Sequence, residues 1–292
     1  MNNHTFDIIR DRVKRSKLYK AYRMLTAPGR VLPDFLIIGT MRGGTTSLYR
    51  YLIQHPCILP AFTQEIEYFS QTANFNKGVN WYRSNFTRAS LVAKVQAKSS
   101  AKVITGEGSH GSVAGPLAPR RIAELLPQIK AIMLIRNPVE RAYSHYQHEV
   151  RRGREHRSFE DALNMETQML CDIDGRSAQI DDDQEERSFR YSYQELGLYI
   201  GQIKRWETFF PKEFLLVLQS EDLFDDPAQT LNQAFEFLDL PELELPFYER
   251  FNHGATPGID PAVESRLFEF YEPYNRRLYK HLGKDLGWEN GR

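Results

Sequence analysis

The sequence predicts an α/β fold: a doubly wound central parallel sheet built on a phosphate-binding strand–loop–helix, with helices on both faces. Three observations predict it. Apolar runs such as FLII at residues 35–38, KAIMLI at 130–135 and FLLVL at 214–218 show no polar–apolar alternation, the pattern of strands covered on both faces. Helical stretches separate these runs, and strand–helix alternation builds parallel sheets. Turns rich in Gly, Asn or Pro follow the runs, at residues 39–44, 106–109 and 136–138. Ligands in such sheets sit at the carboxyl ends of the strands, so these three turns are expected to face one cleft.

Composition narrows the class. The 292 residues, 41% hydrophobic, suffice for one large α/β domain with a full core. Lys+Arg and Asp+Glu each count 38, and a balanced chain argues against bulk nucleic-acid binding. The cysteines Cys57 and Cys171 offer neither metal-ligand nor redox spacing, and no disulfide framework. No apolar run reaches membrane-spanning length, and no signal peptide is legible.

Taken in order, residues 1–30 form a basic N-terminal extension, and a single domain is expected over residues 31–292. The extension interleaves Arg10, Arg12, Lys14, Arg15, Lys17, Lys20, Arg23 and Arg30 with Leu18, Tyr19, Tyr22 and Leu25. This reads as an amphipathic helix, either touching an acidic or membrane surface or packed on the domain. Ala27-Pro28-Gly29 ends it. The first strand, residues 34–38, stops at Gly39, and a helix opens at Thr45 and ends before His55-Pro56. Residues 77–86 read as a helix or loop edge, 101–105 as the second strand, and 117–126 as a helix. The third strand, 130–135, leads into a helix over 139–152. Residues 172–188, DIDGRSAQIDDDQEERS, are expected to form a mobile polar loop. A helix is predicted over 191–210, the fourth strand over 214–218, a helix from Pro227 to Leu238, and a last helix from Pro261 to Leu282.

The loop at 39–47 carries the first chemistry. Gly43 and Gly44 allow a tight turn with inward amides. Thr45, Thr46 and Ser47 add hydroxyls at a helix N-terminus, a site for an anion such as phosphate. The spacing fits G-x-x-x-x-G-K-[ST], but Thr45 replaces the lysine and the loop's cation is Arg42. A nucleotide-hydrolysing site normally wants that lysine.

The stretch GTMRGGTTSLYRYLIQHP resembles the 5′-phosphosulfate loop of sulfotransferases that use 3′-phosphoadenosine 5′-phosphosulfate (PAPS). Within that family it is most similar to the heparan-sulfate glucosaminyl type and its bacterial relatives. LIRNPVERAYSHY at residues 134–146 resembles the family's 3′-phosphate segment, an arginine at a strand end and a serine on the following helix. Arg136 offers a planar fork for a phosphate, and Ser144 a hydroxyl two turns into the helix. The likeness extends in patches over residues 33–288.

The resemblance implies a PAPS-dependent sulfotransferase that releases 3′-phosphoadenosine 5′-phosphate (PAP). Its cofactor site would comprise Arg42, Gly43, Gly44, Thr45, Thr46, Ser47, Arg136 and Ser144, with no metal. Arg42 would also be catalytic, stabilising charge on the leaving phosphate. TQEIEYFS resembles the segment that supplies the base, a buried carboxylate; Glu65 is the matching residue and Glu67 its rival. The acceptor would offer a hydroxyl or amine, on a carbohydrate or a small natural product. Tyr68, Phe69 and Trp81 suit either a sugar face or a core.

Two departures stand out. Gly108 occupies a position where some heparan-type members carry lysine, and HGATP at 253–257 replaces a Lys-Gly-Arg loop. His145 and His148 lie one turn apart without an evident third metal ligand. The alternatives are a catalytically silent PAP-binding module and a phosphate-loop kinase. With no membrane span legible, a cytoplasmic, bacterial protein is expected, contacting surfaces at most peripherally through its basic N-terminus.

Overall fold

Strand β1 (Phe35–Gly39) is buried along its whole length at the centre of a five-stranded sheet. The structure, a computed structural model, describes residues 16–174, 192–249 and 258–290. The other strands are β2 (Ile58–Pro60), β3 (Ile104–Glu107), β4 (Lys130–Ile135) and β5 (Leu215–Gln219). Their order is β2-β3-β1-β4-β5, and every pairing is parallel.

The described helices are α1 (Lys17–Leu25), α2 (Thr45–Leu52), α3 (Thr72–Phe75), α4 (Val79–Arg83), α5 (Ala89–Gln96), α6 (Gly111–Ala114) and α7 (Ala118–Leu125). They continue with α8 (Pro138–Arg151), α9 (Phe159–Asp174), α10 (Tyr199–Glu207), α11 (Ser220–Asp225), α12 (Pro227–Phe237) and α13 (Pro261–Leu282).

Alternate residues of β1 feed two cores, as the unalternating apolar run requires. Leu36 and Ile38 join Met133, Ile135, Ile122 and Trp206 under α7 and α10. Phe35 and Ile37 join Ile132, Leu134, Leu48 and Phe235 under α2 and α12. Each fully buried side chain of this size contributes roughly 1.5–3 kcal/mol. A third cluster, with Val139, Phe159, Leu163, Leu267 and Tyr271, binds α8, α9 and α13 together.

From β1 the chain runs to β2 and β3 on one side, then crosses to β4 on the other. The connections after β1 and β4 therefore part, opening a crevice at the carboxyl ends of these neighbours. The parallel, doubly wound arrangement is the expected one.

Four local expectations are corrected. Strand β2 is an extra edge strand; three residues ending in Pro60 are too short to show a period. Strand β3 begins at Ile104 and includes Gly106, expected as a turn, because the Phe35 ring lies against the face where a Cβ would stand. The helix expected over 191–210 is shortened to α10. Before it, the Glu166 carboxylate accepts the N–H groups of Gln194 and Glu195, and Gly197 is wedged against Tyr271 and Pro138. Residues 172–174 of the expected polar loop end α9, and residues 175–188 lie outside the described residues, as does the 253–257 stretch.

Candidate active site

The β1–α2 loop is built by its own hydrogen bonds. The Thr40 N–H donates to Leu134 O at 2.6 Å, which ties the loop to the end of β4. Gly43 N–H closes the turn on Thr40 O at 2.9 Å, and the Ser220 hydroxyl from α11 donates to Gly43 O. A Cβ on Gly43 would meet Thr40 Cγ2 at 2.8 Å and Leu134 O at 3.0 Å, so no side chain fits there. Arg42 (φ 67°) and Gly44 (φ 89°) both adopt left-handed backbone. For glycine this is free; for arginine it is strain of the kind that collects at functional sites. Helix α2 starts at Thr45 with Gly44 as N-cap, which offers no side-chain acceptor to the first-turn amides. An anion can take that place.

The two predicted phosphate segments meet at the crevice. Arg42 Nε donates to Ser144 Oγ at 3.2 Å, and Arg136 Nη1 reaches Arg42 O at 3.5 Å. Arg136 Nη2 donates to Glu140 Oε2 at 2.7 Å, so one arm of its fork is engaged by a carboxylate. Burial holds the Arg42 guanidinium below the usual arginine range, and Arg151, Arg136 and Arg152 add to the effect. Three arginines repelling Arg42, which stands beside the glycine-capped helix, make this a place that favours anions. The donor set, a helix N-terminus with Arg42 at its lip and Arg136 with Ser144 across the switch point, fits a ligand carrying two separated anionic groups. Burial, then Arg42 and its neighbours, lowers the His148 pKa to about 4, so this imidazole stays neutral near pH 7. His145 is fully buried and neither ring nitrogen has a hydrogen-bond partner. Among the described residues no group of three His, Cys, Asp or Glu side chains could hold a metal.

The segment expected to face the acceptor lies beside β3. Gly108 N–H donates to Gln64 O at 2.9 Å, which brings the Glu65 segment beside the end of β3. Ser109 Oγ accepts the N–H groups of Ile66 and Glu67, at 3.2 and 2.8 Å, and donates to Glu107 Oε2 at 2.5 Å. The Tyr82 hydroxyl donates to Glu107 Oε1 at 3.2 Å. Glu67 adopts left-handed backbone (φ 50°), so the segment is not the simple alternating strand that would align both carboxylates. Even so, His110 Nδ1 lies 3.8 Å from Glu65 Oε1 and 3.5 Å from Glu67 Oε1.

The predicted buried carboxylate is corrected: the Glu65 side chain is 44% exposed and the Glu67 side chain 14%. Glu67 is tied down, accepting from the Ser70 hydroxyl and, at 3.3 Å, from Gly111 N–H. Tyr68 and Phe69 belong to the core, where Tyr68 stacks on Tyr82 at 4.5 Å, and form no sugar face. Trp81 is partly exposed, with Lys77 Nζ 4.5 Å from its ring centroid.

Sequence reasoning placed Glu107 and Ser109 at the cleft but missed their link to Tyr82, as well as Ser220 and the arginines that end α8. The run RRGR at 151–154 was the available signal for the last; the others are joined only by the fold.

Comparisons agree with this architecture. The sulfotransferase domain family matches residues 32–250. Human heparan sulfate glucosamine 3-O-sulfotransferase 5 is 29% identical over 279 residues, covering 88% of this chain and 74% of that protein. Human bifunctional heparan sulfate N-deacetylase/N-sulfotransferase 3 is 31% identical over 288 residues, covering 87% of this chain and 30% of that protein. The crystal structure of a sulfotransferase from Alicyclobacillus acidocaldarius superposes with a TM-score of 0.67 at 26% identity, covering 89% of this chain and 100% of that one. A parallel sheet with a glycine-rich loop at its switch point, and a family match across most of the chain, lead to one conclusion: this chain belongs to the sulfotransferase family and is an enzyme of sulfate transfer.

Proposed function

We propose that this enzyme moves a sulfuryl group from PAPS to a hydroxyl or amine of an anionic carbohydrate. The observation that carries the reading is the convergence of Arg42, Ser144 and Arg136, through the 3.2 and 3.5 Å contacts, at the mouth of the β1–α2 loop. When bound, PAPS supplies a sulfuryl group joined to a phosphate that leaves readily.

The residues divide the work by position. The first-turn amides of α2, with Thr45, Thr46 and Ser47, hold the 5′ end of the cofactor, and Gly43 and Gly44 let the backbone approach it. Arg136 and Ser144 grip the ribose phosphate, which competes with Glu140 for the guanidinium. Arg42 keeps a fixed positive charge beside the departing phosphate oxygen; an arginine stays protonated, so it stabilises charge and does not act as an acid. Glu65 takes the proton of the acceptor. Both oxygens of its rival Glu67 already accept hydrogen bonds, whereas Glu65 is open to an incoming acceptor.

An anionic carbohydrate suits the exposed Arg151 and Arg152, close enough to Arg42 to depress its pKa. The heparan sulfate relatives point to the same acceptor class.

Thermal unfolding tests the cofactor first, with PAP and separately with ATP and magnesium. A ligand at about a hundred times its dissociation constant stabilises a fold by roughly 2.7 kcal/mol. A shift with PAP alone supports the reading; a shift with ATP and magnesium alone overturns it in favour of a kinase. Transfer of labelled sulfate to N-acetylated and N-sulfated glucosaminoglycans then tests the acceptor. PAP binding without transfer to either glycan would overturn the carbohydrate acceptor.

A further inference from the structure

Helix α1 packs against the domain through Arg23 and Tyr19, while Lys17 and Lys20 stay exposed. Arg23 is buried and donates to Ser84 O at 2.8 Å and Phe86 O at 2.9 Å, with its guanidinium 4.4 Å from the Phe62 ring centroid. Tyr19 packs on the same Phe62 ring at 5.7 Å. The apolar residues point the other way. Leu18 is 84% exposed, Leu25 83% and Tyr22 43%. Leu18, Ala21, Tyr22 and Leu25 stand at the i, i+3, i+4, i+7 positions of one helix face, all of them exposed. Soluble helices normally bury such a stripe, and here the inward face is already taken by Arg23 and Tyr19.

Charge selects the occupant. Lys17 and Lys20 are exposed beside the stripe. The sequence of residues 1–30 holds eight Lys and Arg, including Arg10, Arg12, Lys14 and Arg15, against two acidic residues, Asp7 and Asp11. A second copy of the chain would set like charges against like around a shared stripe. An anionic bilayer satisfies both features, taking the leucines at its interface and the lysines at its headgroups.

We propose that α1 is a lipid-docking helix, which inserts Leu18, Tyr22 and Leu25 into the interface of an anionic membrane while Lys17 and Lys20 contact its phosphates. Because α1 rests on Phe62, in the same loop as Glu65, docking holds the acceptor segment close to the lipid surface.

Vesicle co-sedimentation of the full chain tests this. Binding is expected to vesicles of phosphatidylcholine and phosphatidylglycerol in equal parts, to be weakened by salt, and to be absent with phosphatidylcholine alone. The double substitution Leu18→Ser/Leu25→Ser and, separately, Lys17→Glu/Lys20→Glu should each weaken binding by at least about tenfold. These residues are exposed and outside the cofactor site, so the PAP-induced melting shift reports the fold independently. Failure of the unsubstituted protein to bind either vesicle overturns the proposal, and so does binding indifferent to both double substitutions. Self-association in sedimentation velocity that vanishes with Leu18→Ser/Leu25→Ser would also overturn it, assigning the stripe to a second copy.

Discussion

Replacing Glu107 by glutamine is expected to flatten the pH dependence of stability. Glu107 has no solvent exposure. Burial pushes its pKa up from 4.5 to about 8, against the pull of the Ser109 hydroxyl and with a further push from the Glu67 charge. Below about pH 4.5 the group is protonated both folded and unfolded, and contributes no difference. Between that value and about pH 8 the folded protein keeps a proton that the unfolded chain has lost, so stability falls as pH rises. Above about pH 8 both states are ionised and the loss is complete. One proton amounts to about 1.4 kcal/mol per pH unit, so the whole window spans roughly 4–5 kcal/mol. Glutamine cannot ionise. Its carbonyl can accept from Ser109 and its amide can donate to Tyr82, so it copies the protonated form. Urea unfolding of both proteins from about pH 5.5 to 7.5 isolates the effect. Relative to Glu107→Gln, the unsubstituted protein should lose about 1.4 kcal/mol per pH unit across that range. A stability difference that stays constant across the range would refute the reasoning, because Glu107 would then be ionised throughout in its buried site.

Four further outcomes are expected. Glu65→Gln should lower turnover by roughly 10²–10⁴-fold while keeping the PAP-induced melting shift, and Glu67→Gln should cost less activity; the reverse ranking in a sulfate-transfer assay would make Glu67 the base. Arg42→Gly should leave the melting temperature unchanged or higher, since it relieves about 1 kcal/mol or more of backbone strain and three repulsive neighbours, while transfer falls about 10²–10³-fold; a clear loss of stability would show that the strain is absent. Glu140→Gln removes the carboxylate on Arg136 and should tighten PAP binding about two- to fivefold by calorimetry; unchanged affinity would mean Arg136 does not face the ribose phosphate. Gly43→Ala should destabilise by about 1–3 kcal/mol in chemical unfolding, because the Leu134 carbonyl at 3.0 Å from the new Cβ cannot move cheaply.

Much of the fold was legible because its signals are local. The runs at 35–38 and 130–135 are apolar without alternation, and both became central strands. Pro227 and Pro261 announced two helix starts, each preceded by an aspartate whose side chain accepts first-turn amides. Where signals were weak or contested, the reading slipped. Strand β2 has only three residues, and Gly106 looked like a turn because its role is to admit the Phe35 ring from a different strand. The helix expected over 191–210 failed where a distant carboxylate, Glu166, captured two backbone amides.

The site divides in the same way. By itself the sequence singled out the glycine loop and the cation at Arg42, short stretches whose residue types state their chemistry, and its resemblance to the family singled out the Arg136 and Ser144 pair and the Glu65 segment. Only the tertiary structure decided that Arg42 and Ser144 touch and that Arg136 is shared with Glu140. It also decided that Glu65 stands open while Glu67 is bound, and that Glu107, Ser109 and Tyr82 form a buried hydrogen-bonded cluster beside the Glu65 segment. The burial of Arg23 beneath α1, opposite its exposed leucines, is likewise a tertiary fact. The physical reason is that hydrogen bonding, burial and mutual repulsion depend on through-space distance, which strand order sets and sequence separation does not record.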